Sequence, residues 1–271
     1  MNNIKMLIKG LLSFLFFASA AVSCKPYEVI KGNGEIITES IDISDYNEVN
    51  ISGSSVIINY IVSDSFPALM VTVDRNIYDI YTIETNGNEL IIRPQKEYRF
   101  AQIRPTEFFI TTNSRMLDKV SLSGSVNFNL NSIFKGESLH FNFAGDGNIN
   151  LNDSIYADKL SVNIAGKAEF NSQYTNVGEF NSNTAGMGTI NIKGNAGNAS
   201  YKIAGAGTVS AFDFVTEELS CRIAGKGTAD INVTKRLNVN VAGMGDVTYK
   251  GSPTNIVKVV AGKGNVKAVE D

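Results

Sequence analysis

The sequence predicts an all-β chain folded as a parallel, right-handed β-solenoid, with repeats of about 20 residues and an irregular N-terminal strand cap. Three observations predict it. The first is a recurring motif, a small residue followed by glycine between apolar flanks: ISGSSVI, LSGSVNF, FAGDGNI, IAGKAEF, TAGMGTI, IAGAGTV, IAGKGTA, VAGMGDV and VAGKGNV. Its leading glycines are Gly53, Gly124, Gly145, Gly166, Gly186, Gly205, Gly225, Gly243 and Gly262, and the last eight follow one another at 21, 21, 20, 19, 20, 18 and 19 residues. A period that drifts by a residue or two marks stacked turns that absorb small insertions.

The second observation is that each copy alternates. Two residues before the glycine stand Leu122, Phe143, Ile164, Thr184, Ile203, Ile223, Val241 and Val260, and four after it stand Phe128, Ile149, Phe170, Ile190, Val209, Ala229, Val247 and Val266. Mostly apolar columns at period two, before and after the glycine, predict two strands per copy with one buried face. The third is that the intervening columns are polar, such as Asn129, Asn150, Asn171 and Asn191 five residues after the glycine. Turns stacked about 4.8 Å apart bring such side chains within reach of a hydrogen-bonded ladder along the outside. The glycine falls at a corner, where the backbone conformation or the closeness of the next turn excludes a side chain. Right-handedness follows from the usual hand of parallel crossovers.

The elements follow in order. Residues 1–23 read as a signal peptide: Lys5 and Lys9 precede an uncharged run, Leu11 to Val22, too short to span a bilayer. Ala21-Val22-Ser23-Cys24 resembles a bacterial lipobox, which makes Cys24 the expected lipid-attachment residue. Several acyl chains hold a protein at a membrane where one alone is marginal. Residues 24–34 read as a short tether. Residues 35–120 read as the first rungs plus a strand insertion that caps one end, because a solenoid with open edges would polymerise. Residues 121–271 are the serial repeats.

Composition excludes several functions. Of 24 glycines, nine lead a copy and six follow as its second glycine, so a slight compositional excess is a periodic requirement. Two cysteines and one histidine leave no basis for a disulfide scaffold, a cysteine-rich zinc module or most histidine chemistry. Removal of residues 1–23 takes two lysines and no acid, so 22 bases face 27 acids, and net −5 gives no reason to bind nucleic acid. Strands rather than helices follow Gly32-Asn33-Gly34 and Gly145-Asp146-Gly147, so neither is a phosphate loop. Lysines at the turns of three copies (Lys167, Lys226, Lys263) disfavour a row of calcium ions. No metal or cofactor is expected.

No constellation for catalysis stands out. Asp230 and Asp246 occupy adjacent copies but different columns, His140 falls in an outward column, and Cys221 falls in an inward one as a small buried hydrophobe. The locally basic stretch Arg93 to Arg104, with Tyr98 and Phe100, reads as a solvated loop or as a recognition loop on the insertion.

GNGEIITESIDISDYNEVNISGSSVIINY at 32–60, with the serial AGxG copies from Gly145 to Gly264, resembles the bacterial lipoprotein family called putative auto-transporter adhesin, head GIN domain. The resemblance implies a β-helical cell-envelope protein. The expected function is thus a non-enzymatic, lipid-anchored adhesin or binding scaffold at the outer membrane, with an envelope or extracellular protein or glycan as ligand. The alternative is a carbohydrate-binding or carbohydrate-active β-helix.

Overall fold

The computed structural model describes residues 28–269. It is a parallel β-solenoid of about eight turns. The strands are β1 (Val29–Lys31), β2 (Ile36–Ile41), β3 (Glu48–Val62), β4 (Ala68–Asp74), β5 (Tyr81–Asn86), β6 (Glu89–Pro94), β7 (Gln102–Arg104), β8 (Phe108–Ser114) and β9 (Lys119–Leu130). They continue with β10 (Phe134–Gly186), β11 (Thr189–Gly205), β12 (Thr208–Gly225), β13 (Thr228–Gly243), β14 (Asp246–Lys250), β15 (Asn255–Gly262) and β16 (Asn265–Ala268). A single helical turn, α1 (Arg75–Tyr78), follows β4.

Every copy stacks on the next in the register that the glycines set. Gly53 pairs with Gly124, Gly124 with Gly145, Gly186 with Gly205, Gly205 with Gly225, Gly225 with Gly243 and Gly243 with Gly262, all in parallel ladders. Equal steps along the chain thus become equal positions along an axis.

The alternation of each copy sends one column inward. Leu122, Phe143, Ile164, Thr184, Ile203, Ile223 and Val241 are all buried. Aromatic rings extend the stack along the core, Tyr60 to Phe128, Phe128 to Phe141, Phe141 to Phe170, Phe170 to Phe180 and Phe180 to Tyr201, with centroids 5.6–6.5 Å apart. Offset and edge contacts at this distance add to plain area burial. On the outside five asparagines form one chain of hydrogen bonds. Asn129 donates to Asn59 (3.2 Å), Asn150 to Asn129 (2.9 Å), Asn171 to Asn150 (3.0 Å) and Asn191 to Asn171 (2.8 Å).

At the corner the backbone of Gly205 has φ +124°, and a Cβ there would lie 2.6 Å from the carbonyl oxygen of Gly186 in the turn below. Both the dihedral and the close approach exclude a side chain. Two details differ from the simple hand-over of one strand to the next. β10 runs unbroken through Gly145 and Gly166, because the pairing continues through the corner itself (Gly145 with Gly124, Gly147 with Val126). Only from Gly186 onward does a strand end at the leading glycine. Gly53 lacks the positive φ of the later copies; a register shift between Gly53 and Val56 moves it to Ser55, φ 58°.

The insertion closes the N-terminal end. β3 is the first rung and pairs with β9, β8 and β6 in parallel. β4 then runs antiparallel to β8, and β2 antiparallel to β4. The opposite end differs. Ile256, Val257, Val259 and Val260 of the last rung are 42–50% exposed. The middle inward position of that rung is Lys258, whose Nζ donates to Tyr249 Oη at 3.1 Å and sits over its ring. A charge in the inward column is a recognised guard against edge-to-edge stacking.

The expected tether 24–34 is corrected from residue 29 on. β1 pairs in parallel with β7, and the Gly32 amide donates to the Arg104 carbonyl at 2.9 Å. The carboxylate of Asp74, fully buried, accepts from the Gly34 amide (2.8 Å) and the Thr106 amide (2.7 Å). The segment has its backbone groups satisfied by the insertion, so it is a docked strand and not a free linker.

Candidate functional site

The site begins with three adjacent columns. One residue before the glycine every copy from Gly145 to Gly262 has alanine. Ladder pairing stacks these alanines, with Ala185 beside Ala204, Ala204 beside Ala224 and Ala224 beside Ala242. Two residues further back the outward column reads Ser121, Asn142, Asn163, Asn183, Lys202, Arg222 and Asn240. Methyl groups beside longer polar side chains leave a channel along the axis, with the edges of Leu122, Phe143, Ile164, Ile203 and Ile223 in its floor. Its volume is about 930 Å³.

The wall has two parts. In its first part the amides satisfy each other: Asn163 donates to Asn142 at 2.9 Å and Asn183 to Asn163 at 2.7 Å. In its second part Lys202 and Arg222 lie side by side on paired rungs. Neither has an ion-pair partner among the described residues. From six residues before to two after the glycine, the copies of Gly166 to Gly262 hold six cations and no acid. The surroundings of the groove are thus cationic toward its C-terminal end, whereas Asp118 and Asp146 stand in the copies at its N-terminal end.

A second, smaller recess of about 380 Å³ lies on the face after the corner. Asn171, Gln173, Asn191, Lys193, Ser210, Phe212, Asp213 and Asp230 line it. One face of Phe212 is occupied by Lys250, whose Nζ is 4.7 Å from the ring centroid.

The remaining sequence candidates fall as follows. Cys24 and the segment 1–23 expected to be a signal peptide lie outside the described residues. Cys221 is fully buried between rungs, and burial pushes its thiol up to about 12, so it is held protonated. His140 is half-buried on the outward face, beside Lys119 of the neighbouring rung. Asp230 joins the smaller recess, and Asp246 instead accepts from the Asn265 amide at 3.0 Å. The basic stretch 93–104 is a loop only in part. Its end is β7, spent on pairing with β1, while Phe100 remains exposed under the Arg99 guanidinium.

Sequence reasoning passed over the groove. It recorded the small residue before each glycine as a corner requirement and left the column two residues further back unread. The change from asparagine to Lys202 and Arg222 in that column was the available signal.

Fold and groove together define the class: a repeat scaffold of stacked parallel turns, closed at one end, with an open channel along its corner. Residues 45–253 match the family described as putative auto-transporter adhesin, head GIN domain, and the chain belongs to that family. A solved structure from Parabacteroides distasonis described as a putative lipid binding protein is 33% identical, with a TM-score of 0.86, covering 90% of this chain and 100% of its own. A structure described as a putative adhesin from Parabacteroides merdae is 31% identical, TM-score 0.81, over 90% of this chain and 100% of its own. Another so described from Parabacteroides distasonis is 30% identical, TM-score 0.80, over 89% of this chain and 100% of its own. No curated protein matches the sequence.

Proposed function

We propose that this protein is a non-enzymatic binding scaffold of the cell envelope, held to the outer membrane by acyl chains on Cys24, and that the axial groove is its ligand site. The observation that carries the reading is the groove itself. It is preformed, open and largely apolar, and runs across eight rungs of a rigid stack. Its lining includes no carboxylate and no imidazole, the groups that general acid–base chemistry draws on. The adhesin description of the family and of two solved relatives supports a binding role, and the lipid-binding description of a third supports an apolar ligand.

The anchor is tested by replacing Cys24 with alanine. The wild type is expected to partition with membranes and carry acyl label, and Cys24→Ala to lose both; retention of either by the variant refutes lipidation at this residue. Protease treatment of intact cells then distinguishes the outer from the periplasmic face. For the groove, Ala204→Leu fills the channel at an outward position; an unchanged ligand profile in this variant would refute the site.

A second reading, glycan binding, is favoured by the smaller recess, where Asp213, Asp230, Asn171 and Asn191 gather beside Phe212. Planar amides and carboxylates suit sugar hydroxyls. Binding on a glycan array that Asp230→Ala abolishes and Ala204→Leu leaves intact would establish it over the groove.

A further inference from the structure

We propose that the ligand of the groove is a single-chain anionic amphiphile, its head group held between Lys202 and Arg222 and its apolar chain laid along the alanine floor toward Ala144. The inference rests on reading the groove as the ligand site, and adds the chemical class and the direction of binding.

Charge fixes the head. Lys202 and Arg222 are neighbours on paired rungs, roughly 4.8 Å apart along the axis. They stand in a column that is otherwise serine and asparagine through Asn240, with no ion-pair partner among the described residues; Glu218, on the rung of Arg222, is spent on Arg236 at 3.3 Å. Two unneutralised cations side by side repel each other. An anion between them removes that repulsion and forms charge-assisted hydrogen bonds, with the guanidinium offering a fork to a carboxylate or phosphate.

The wall fixes the direction of the chain. Beyond Lys202 toward the N-terminus lie five more rungs (Asn183, Asn163, Asn142, Ser121 and Asn50), about 24 Å at the usual spacing, against one beyond Arg222 on the other side. Over the three nearest of those rungs Asn183, Asn163 and Asn142 are bonded to one another. Covering a satisfied ladder with an alkyl chain strands few polar groups, whereas covering unpaired amides would cost each its hydration with nothing in return. That length accommodates an extended palmitoyl chain. The polar demand of the site is therefore concentrated at one end and its apolar surface at the other, the pattern of an amphiphile and not of a sugar or a uniformly apolar oil.

The test uses the full chain carrying Cys24→Ala, so that no attached acyl group competes. Binding of palmitate, monopalmitoylglycerol and acetate is measured by titration calorimetry below micelle-forming concentrations, with native mass spectrometry for stoichiometry. The expected result is one palmitate per chain, bound at least about tenfold tighter than monopalmitoylglycerol, with no heat from acetate. In Lys202→Gln/Arg222→Gln the preference disappears while the neutral probe binds as before. In Ala185→Leu both probes are lost, with thermal melting unchanged because position 185 points outward. Equal affinity for the charged and neutral probes overturns the proposed head-group site and leaves the groove reading standing. Failure of both probes overturns the groove as a lipid site. Sedimentation with vesicles of phosphatidylglycerol, without binding of monomeric palmitate, overturns the proposal in favour of a flat membrane contact.

Discussion

Replacing Gly205 with alanine probes the corner most directly. The glycine has φ +124°, and the added Cβ would sit 2.6 Å from the Gly186 carbonyl oxygen, 3.2 Å from its nitrogen and 3.3 Å from its carbonyl carbon. The dihedral alone costs an L-residue about 1–2 kcal/mol. The overlap is with backbone of the adjacent rung and not with a movable side-chain end, and overpacking of this kind costs about 1–3 kcal/mol. The expected loss is ~2–5 kcal/mol. Gly87→Ala separates the two contributions, since Gly87 has φ +62° in the β5–β6 turn but nothing within 4 Å of its would-be Cβ. It is expected to lose only the conformational part. Urea unfolding followed by circular dichroism measures both. If Gly205→Ala costs no more than Gly87→Ala, rung-to-rung approach does not explain the repeated glycine.

Other outcomes follow from the same contacts. Asn171→Ala removes a half-buried amide that donates to Asn150 and accepts from Asn191, and is expected to cost about 1–2 kcal/mol in urea unfolding. Tyr201→Phe removes a fully buried hydroxyl that has no hydrogen-bond partner, so stability is expected to be unchanged or to rise by up to about 1 kcal/mol. Burial by itself would raise the Asp74 carboxyl, but the amides of Gly34, Thr106 and Glu107 hold it below its ordinary 3.8. A depressed folded-state value means the contribution is present above about pH 4 and is lost as pH falls through the folded value. Asp74→Asn is expected to flatten that acid limb and to speed hydrogen exchange at Gly34 and Thr106. Cys221, held protonated by burial, is expected to resist alkylation at pH 8 until urea unfolds the chain.

The repeat was legible because it is local. Alternation within VAGMGDV assigns Val241 and Val247 inward from seven consecutive residues, and both are buried. The ladder at Asn150 and Asn171 was legible because an unchanging period turns sequence columns into spatial columns. Residues 29–34 were misread because a strand as short as Val29–Lys31 carries little periodicity. Its partner, Gln102–Arg104, lies some seventy residues away in a stretch whose charges suggested solvent. The cap was expected as a cap, but not as the antiparallel β2–β4–β8 arrangement, which rests on pairing across an insertion without repeats.

By itself the sequence determined the solenoid, its period and its inward and outward columns, since each follows from one copy and its repetition, and with the N-terminal block at 32–60 it pointed to the head GIN family. Only the tertiary structure decided where a ligand could lie. Alanine before a glycine is unremarkable in one copy and becomes part of a channel floor when six rungs align it. Lys202 and Arg222, twenty residues apart in the chain, become one cationic site because parallel pairing sets them side by side.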